Sequence, residues 1–244
     1  MNESALTVGE DQKTLDYFDN FTPHYNAERF RFAIDYLNKH GNAEQRLLDI
    51  GCGDGGTLAL LKEHTAIVHL CGMDISANYL RKAERLLQCE TIEGSILDDD
   101  LVAEHFEQFD YCTLGAVIHH LIGGTRRESL QFAVKCVENS FKLLKPGGSL
   151  IIFEPTYKPA WMMSAAFWIK KIVSRLSSKR VEMGRSWANL GQPIVSYYTA
   201  EQLTRFVEEL PESRVLLNEV QDKLRLAGVI ERQGMAVIVQ KTDG

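Results

Sequence analysis

The stretch Leu47-Leu48-Asp49-Ile50-Gly51-Cys52-Gly53-Asp54-Gly55-Gly56 decides the fold, because it joins a short apolar strand to a run of glycines. Glycines directly after a strand permit a tight turn and bring a ligand close to the backbone, in front of a helix N-terminus. Gly51, Gly53 and Gly56 satisfy G-x-G-x-x-G, and Asp74 follows at about the distance at which an acid binds a ribose diol. Taken alone, this pattern is a weak indication of a dinucleotide site.

Asp49 argues against a dinucleotide. It stands two residues before the first glycine of the motif, where a pyrophosphate would otherwise come close. A carboxylate at that place repels phosphate and suits a ligand that carries an ammonium or sulfonium charge. An NAD(P)-dependent oxidoreductase therefore stays an alternative that only the glycine spacing supports.

Strands and helices alternate through the first two thirds of the chain. Apolar runs predict strands at residues 46–50, 67–75, 91–93, 109–114, 150–153, 214–220 and 235–240. Helical spacing of apolar residues predicts helices after the strands at 46–50, 67–75 and 109–114, and Ser76 and Thr199 are placed to cap two helices. Strands that alternate with helices form βαβ units, so we predict an α/β fold with a mostly parallel, seven-stranded sheet.

We expect a single domain over residues 1–244. Its predicted parts are a helical segment at 15–40, a core at 45–155, a helical cap inserted after the fifth strand at 156–192, and a helix and strands at 193–244. The cap segment (residues 156–192) holds all three tryptophans, and it has seven basic residues against one acidic. The remaining chain has 20 basic residues against 32 acidic.

Trp161, Ala165, Trp168, Ile172 and Leu176 form a stripe at helical spacing within the cap segment. Such a stripe is more often packing than a recognition surface. Its place at the carboxyl end of the sheet favours a role in binding the acceptor, because open α/β sheets bind ligands there. The basic residues of the segment are read as a solvated face, with a weak membrane or acidic-partner patch as the sharper alternative.

The composition is that of an ordinary soluble globular protein, with 45% hydrophobic and 25% charged residues and a net charge of -6. The first residues lack the features of a secretory signal, and no apolar run approaches the ~20 residues of a membrane span. Five cysteines without a paired spacing indicate reduced thiols and no metal site. We therefore expect a cytoplasmic monomer or homodimer that binds neither nucleic acid nor, as an integral protein, a membrane.

Four blocks stand in order along the core: D-x-G-x-G at 49–53, G-M-D-I-S at 72–76, F-D-Y-C-T-L-G-A-V-I-H-H-L at 109–121, and L-L-K-P-G-G-S-L-I-I-F-E-P at 143–155. With these blocks the sequence resembles the class I S-adenosylmethionine-dependent methyltransferases from residue 47 to about 155. The small-molecule enzymes of the ubiquinone and polyketide type are the most similar. The resemblance implies a Rossmann-like, doubly wound fold and S-adenosyl-L-methionine as the cofactor.

The resemblance also implies roles for individual residues. The backbone of Gly51 and Gly53 would run beneath the methionine part of the cofactor, with Asp49 near its amino end. Asp74 would hold the ribose hydroxyls, and Ile75 would pack on the adenine. The other implied contacts are Ser95 and Ile96 at the adenine edge, and Gly115 and Ala116 at the methionine moiety.

The function we predict is methyl transfer to an O, N or C nucleophile of a small, largely apolar molecule. Because the sulfonium makes the methyl group reactive, the protein mainly aligns the two partners and excludes water. An acceptor with a proton to lose needs a base, for which His120 or His119 is the best candidate. A structural role for this histidine pair is equally compatible with the sequence.

A non-catalytic or nucleic-acid-directed module, with residues 158–185 as a basic surface, is the second alternative. The sequence after the fourth strand reads Leu114-Gly115-Ala116 in place of the N-P-P-Y motif that often accompanies base methylation. This difference makes a base-methylating enzyme a poor match.

Overall fold

The computed structural model describes residues 27–176, 194–226 and 229–242. Residues 15–26 of the predicted helical segment therefore lie outside the described residues, as do residues 177–193, which include most of the second half of the cap segment and Trp187.

The described residues form one seven-stranded sheet with the order β3-β2-β1-β4-β5-β7-β6. Neighbouring strands among β1 to β5 pair in parallel, and β7 runs antiparallel to both β5 and β6. The predicted α/β fold with a mostly parallel, seven-stranded sheet is confirmed. The strands are β1 (Arg46–Ile50), β2 (His69–Asp74), β3 (Glu90–Glu93), β4 (Phe109–Gly115), β5 (Leu144–Lys158), β6 (Ser213–Leu226) and β7 (Ile230–Lys241).

Helices cover both faces of the sheet, as a doubly wound fold requires. Successive strand residues point to opposite faces, so Leu47 and Leu48 enter two different cores. Leu47 packs with α1 (Arg31–His40), α2 (Gly56–His64) and α3 (Ala77–Leu87), whereas Leu48 packs with the helices of the other face. Those helices are α4 (Asp99–Glu104), α5 (Arg126–Lys142) and α7 (Ala200–Glu208). The remaining described helices are the 3₁₀ helix Ile118–His120 and α6 (Ala160–Leu176).

Both predicted helix caps are confirmed. The Ser76 hydroxyl accepts a hydrogen bond from the Tyr79 N–H at the start of α3. Thr199 accepts from the Gln202 N–H at the start of α7, and the Gln202 side chain accepts from the Thr199 N–H, which completes a capping box.

Strand β5 is much longer than the predicted residues 150–153. At its start, Phe109 pairs with Leu144 but Tyr111 pairs with Ser149, so residues 145–148 bulge out of the ladder and Leu144 belongs to the strand rather than to α5. At its end, β5 continues past the last pair with β4, Gly115 with Phe153, because β7 pairs with it up to Lys158. Residues 156–158 of the predicted cap therefore belong to the sheet.

Four of the five cysteines are buried, and all five are free thiols. Within the described ranges, no group of three or more His, Cys, Asp or Glu side chains could hold a metal ion. No described helix is long and apolar enough to cross a membrane.

Candidate active site

The glycine loop after β1 has a backbone that only glycine adopts easily. Gly51, Gly53 and Gly55 have φ values of 69°, 54° and 88°, in the left-handed region. The N–H groups of Gly51 and Cys52 both donate to the carbonyl oxygen of Met73, at 2.7 and 3.0 Å, and so attach the loop to the end of β2. A β-carbon on Gly51 would lie 2.6 Å from Cγ2 of Val117. The turn is therefore held between the end of β2 and Val117, which follows β4.

Asp74 connects this loop to the next helix. Its Oδ2 accepts a hydrogen bond from the Gly53 N–H and its Oδ1 accepts one from the Ser76 N–H, both at 2.9 Å. The side chain is partly exposed at the end of β2, where it can also accept hydroxyl groups of a ligand.

Asp49 lies beneath the loop as a buried acid. Its side chain is 2% exposed, and its Oδ1 accepts a hydrogen bond of 2.6 Å from the Thr113 hydroxyl. Burial raises the pKa of Asp49 to about 7; the Thr113 hydrogen bond opposes this shift, and the nearby charge of Asp74 adds to it. A cationic ligand group above the loop would favour the ionised form.

The predicted adenine contacts differ in exposure. Ile75 and Ser95 are partly exposed at the carboxyl ends of β2 and β3. The Ser95 hydroxyl accepts a hydrogen bond from the Leu97 N–H at 3.2 Å. Ile96 is 4% exposed, its side chain packs in the core under α5, and its carbonyl accepts from the Asn139 amide at 2.9 Å. The side chain of Ile96 therefore has almost no surface to offer a ligand.

Gly115 and Ala116 end β4 in an unusual backbone geometry. Ala116 has φ = 62°, which is uncommon for a residue with a side chain, and its N–H donates to the Phe153 carbonyl at 2.8 Å. A β-carbon on Gly115 would lie 3.4 Å from the ring of Phe30, just before α1. Left-handed alanines cost free energy and concentrate at functional sites, so Ala116 is a mark that the sequence alone did not reveal.

His119 is held by an acid that sequence reasoning missed. Glu154, near the end of β5, has no exposed surface. Its Oε2 accepts from the Ile118 N–H at 3.2 Å, and its Oε1 accepts from the His119 N–H at 3.1 Å and is hydrogen-bonded to Nδ1 of the His119 ring. The available signal was a single acid that directly follows the apolar run of residues 150–153.

Burial controls the protonation of this pair. Burial raises the pKa of Glu154 to about 8 against the effect of three backbone N–H donors, and it lowers the pKa of His119 to about 3, assisted by the positive charges of Lys170 and Arg232. Both groups are therefore uncharged at neutral pH. The proton between them is carried by Oε1 of Glu154, which donates a hydrogen bond to Nδ1 of His119. Once Glu154 ionises, Nδ1 donates to the carboxylate and the basic lone pair of the ring lies at Nε2.

Aromatic rings surround His119. Its ring centroid lies 4.0 Å from that of His120 and 5.1 Å from that of Tyr197, which stacks on it. Tyr197 in turn lies 4.2 Å from Tyr157, on the part of β5 that extends past β4. Burial raises the pKa of both tyrosines and lowers that of His120. The walls of the site next to His119 are therefore aromatic and mostly desolvated.

Helix α6 covers the loop that follows β4. Its inner side chains, Met163, Phe167 and Lys171, are buried. Phe167 packs with Ile122 and Ile194, and the Lys171 ammonium donates to the carbonyls of Gly123, at 3.2 Å, and Gly124.

The stripe predicted from helical spacing lies on the opposite side of α6. Trp161, Ala165, Trp168 and Ile172 are all exposed, and the side chain of Leu176 is outside the described residues. This exposure fits neither core packing nor the predicted contact of the stripe with the acceptor, because Met163 and Phe167 occupy the face of the helix that turns towards the domain.

The predicted site residues thus meet at one edge of the sheet. The glycine loop, Asp74, Ser95, Ala116 and the histidine pair follow β1, β2, β3 and β4 in that order, at the carboxyl ends of parallel strands. Open α/β sheets bind their ligands at this edge. Glu154, Tyr157 and Tyr197 complete the site from outside the predicted set.

Known proteins resemble this chain in sequence and in fold. Residues 48–150 match the model of a methyltransferase domain. A ribosomal RNA small subunit methyltransferase C from Actinobacillus pleuropneumoniae is 24% identical over 156 residues, which cover 62% of this chain and 45% of the relative. The chain thus spans less than half the length of this curated relative.

Solved structures share the fold at low sequence identity. An S-adenosylmethionine-dependent methyltransferase from Anabaena variabilis superimposes with a TM-score of 0.63 at 15% identity, covering 96% of this chain and 93% of its own. The CurJ carbon methyltransferase does so with a TM-score of 0.53 at 20% identity, over 82% of this chain and 49% of its own. Residues 48–150 thus match a methyltransferase domain, and the fold is shared with S-adenosylmethionine-dependent methyltransferases, which implies S-adenosylmethionine as the cofactor.

Proposed function

We propose that the protein transfers a methyl group from S-adenosylmethionine to a nucleophilic atom of a small, largely apolar acceptor, with His119 as the base. The observation that carries this proposal is the buried His119–Glu154 pair, in which His119 lies two residues after Val117, the neighbour of Gly51. A base must lie next to both the acceptor and the cofactor, and His119 follows β4 at the carboxyl edge of the sheet, with the ring of Tyr197 stacked on its own.

The residues present fit the cofactor. Gly51 and Gly53 have positive φ and leave part of the loop backbone exposed, and two acids suit a cationic ligand. We assign Gly51 and Gly53 to the methionine part, Asp49 to its ammonium group, and Asp74 to the ribose hydroxyls. When bound, S-adenosylmethionine supplies an electrophilic methyl group.

Side chains contribute less to the remaining cofactor contacts that we assign. Ile75 and Ser95 are placed to line the adenine, Ile96 contributes backbone alone, and the tight turn at Gly115 and Ala116 borders the methionine moiety.

His119 is favoured over His120 as the base because Glu154 orients its ring. The acid bonds to Nδ1, and no described residue hydrogen-bonds to Nε2 of His119. With Glu154 ionised, Nε2 accepts a proton from the acceptor, and the new imidazolium is stabilised by the carboxylate. Glu154 is therefore a positioning residue, which acts on the acceptor through His119.

The acceptor is proposed to be apolar because of the walls around His119. Tyr157, Tyr197 and His120 present ring faces, and burial has removed water from most of them. Aromatic faces bind flat apolar groups and exclude water from a transferring methyl group. An acceptor with an ionisable O–H or N–H group would use the base.

Two measurements test this function. Calorimetry should detect S-adenosylhomocysteine binding at about micromolar Kd, near -8 kcal/mol, and no comparable binding of NADH. Incubation with cofactor labelled on the methyl carbon and a cell extract should then label small molecules that mass spectrometry identifies. NADH binding of equal strength would instead support the oxidoreductase alternative.

RNA is the second candidate acceptor, because the curated relative above is named a ribosomal RNA methyltransferase. Treating the same extract with ribonuclease before the incubation separates the two candidates. Label in intact RNA that ribonuclease removes supports an RNA acceptor, and label that survives in the small-molecule fraction supports the proposal.

A further inference from the structure

The extension of β5 past β4 places an arginine beside the aromatic walls of the site. Tyr157 lies on this extension, and its partner in the antiparallel pairing with β7 is Arg232. Residues directly opposite each other in such a pair present their side chains on the same face of the sheet, with Cβ atoms about 4.5–5.5 Å apart. The side chain of Arg232 therefore leaves the sheet next to that of Tyr157.

Two tyrosine rings connect this arginine to the proposed base. The Tyr157 ring lies 4.2 Å from that of Tyr197, which stacks on His119 at 5.1 Å. Burial raises the pKa of both tyrosines, and the positive charge of Arg232 opposes that rise in each of them. The same charge, together with that of Lys170, adds to the effect of burial in lowering the pKa of His119. Arg232 is thus near enough to act electrostatically on all three rings.

The charge of Arg232 has no counter-ion in the described chain. The side chain is partly buried, and no described residue forms an ion pair with its guanidinium or accepts a hydrogen bond from it. Its partners on the two neighbouring strands are Tyr157 and Leu224, neither of which is acidic. The adjacent acid, Glu231, points to the opposite face of the strand and is hydrogen-bonded to Gln233.

Other groups near the site do not supply the missing negative charge. Burial raises the pKa of Glu154 to about 8, so this acid is mostly neutral at neutral pH. Other cations close to the site do have partners: Lys158 forms an ion pair with Glu201 at 2.5 Å, and Arg126 donates to the Tyr197 carbonyl. A partly buried guanidinium without an acceptor costs free energy, which an anionic ligand would offset through charge-assisted hydrogen bonds.

We propose that Arg232 binds an anionic group of the methyl acceptor, a carboxylate or a phosphate. This inference rests on the proposed function, because it concerns the acceptor that His119 deprotonates. A guanidinium binds either group through paired N–H···O hydrogen bonds. Because Tyr157 and Tyr197 link Arg232 to His119, the anionic group and the methylated atom lie at opposite ends of an apolar body that the two rings contact.

The charge of the labelled product tests the inference with the wild-type protein. After incubation with the methyl-labelled cofactor and a cell extract, most of the label transferred to small molecules should bind an anion exchanger at about pH 8. Lowering the pH to about 3 neutralises and releases a carboxylate, whereas a phosphate keeps a negative charge and stays bound. Transferred label that passes through the exchanger at about pH 8 would overturn the inference and leave the proposed function intact.

Variants of the arginine then test which residue binds the anion. In Arg232→Gln, the amount of extract that gives half-maximal labelling should rise by about tenfold or more, with the maximal rate within about threefold, because charge-assisted hydrogen bonds to the acceptor are lost. Arg232→Lys keeps the charge without the paired donors and should recover part of the loss. The matched control is Arg214→Gln, an exposed arginine of β6 that lies opposite Gln240 near the other end of β7 and should label as the wild type does.

Affinity for S-adenosylhomocysteine and the thermal midpoint should match the wild type in all three variants, because neither arginine is assigned to the cofactor. An Arg232→Gln protein that labels as the control does would overturn the inference. Loss of labelling together with loss of S-adenosylhomocysteine affinity would also overturn it, because Arg232 would then support the fold or the cofactor site. A wild-type protein that transfers label to RNA alone would instead remove the proposed small-molecule function, and the inference with it.

Discussion

The two halves of the candidate site are built in different ways. The cofactor half, at the ends of β1 to β4, is held by backbone: positive-φ glycines, N–H groups bonded to Met73, and an acid that bonds the loop to α3. The acceptor half is held by side chains from distant parts of the sequence, with His119, Glu154, Tyr157 and Tyr197 stacked or hydrogen-bonded to each other. A backbone site depends on a few obligatory residue types, whereas a side-chain site depends on what the fold brings together.

This contrast predicts that changes in the acceptor half leave cofactor binding intact. His119→Asn removes the base, and the rate of labelled-methyl transfer should fall about 10²- to 10⁴-fold, as for loss of a general base. S-adenosylhomocysteine affinity should stay within about threefold of the wild type. His120→Asn is the control and should retain most of the rate; an equal loss there would reverse the assignment.

The same base predicts a pH dependence. Glu154 is protonated below a pKa of about 8 and ionised above it, so the form with a basic Nε2 on His119 grows as pH rises through 8. The transfer rate should therefore rise between about pH 7 and 9, by up to about tenfold per pH unit on the acidic side. In Glu154→Gln this rise should disappear at a lowered rate, with S-adenosylhomocysteine affinity unchanged. A rise that persists in the variant would remove Glu154 from the mechanism.

For the cofactor half, Gly51→Ala should abolish tight cofactor binding, with a loss of about 100-fold or more. The added carbon would lie 2.6 Å from Val117 in a turn with φ = 69°. Gly147→Ala is the matched control, because Gly147 has φ = 78° but nothing within 4 Å of the added carbon. In both variants the alanine is strained by roughly 1–2 kcal/mol, because its φ is positive. A difference in affinity measured by calorimetry therefore reports the location of the residue and not the backbone strain. Equal affinity in the two variants would show that the glycine loop does not contact the cofactor.

Asp74→Ala should weaken S-adenosylhomocysteine binding by more than about tenfold, because hydrogen bonds to a charged acceptor contribute about 1.5–3 kcal/mol each. Asp74→Asn keeps one oxygen to accept backbone N–H groups and should lose less. Unchanged affinity in a folded Asp74→Ala protein would contradict the ribose assignment.

Asp49 should give cofactor binding a modest pH dependence. Its pKa of about 7 means that it is largely neutral at pH 6 and ionised at pH 8, so affinity for a ligand with an ammonium group should rise several-fold over this interval. Titrations of S-adenosylhomocysteine at the two pH values measure the change. Asp49→Asn should flatten it, and a rise retained by that variant would place the titrating group elsewhere.

Phe167 and Trp168 are neighbours on α6, but one is buried and the other is exposed, so replacing them should change the free energy of unfolding by different amounts. Phe167→Ala should lower the free energy of unfolding by about 3–5 kcal/mol, because its ring is 1% exposed. Trp168→Ala should change it by less than about 1 kcal/mol, because the indole is largely in solvent. Thermal melts of both variants measure these changes in stability. A large loss of stability in Trp168→Ala would show that this side of α6 is packed in solution.

Sequence reasoning succeeded where the signal is local. The alternation of strands and helices, the caps at Ser76 and Thr199, and the glycine loop with Asp74 all follow from neighbours within a few residues. It failed where partners are far apart in the chain. Helical spacing located the strip of Trp161 and Trp168 but not the side of the helix that is buried, because both sides of α6 are apolar.

What the sequence by itself determined is the parallel α/β sheet and the glycine loop with Asp74 beside it, since hydrophobic periodicity and obligatory glycines act through local backbone geometry. Only the tertiary structure decided the acceptor half. Glu154 reaches His119 across 35 residues because β5 lies beside β4 and continues past it, and burial of that pair sets its protonation. Contacts of this kind depend on strand pairing and desolvation, which no short stretch of sequence encodes.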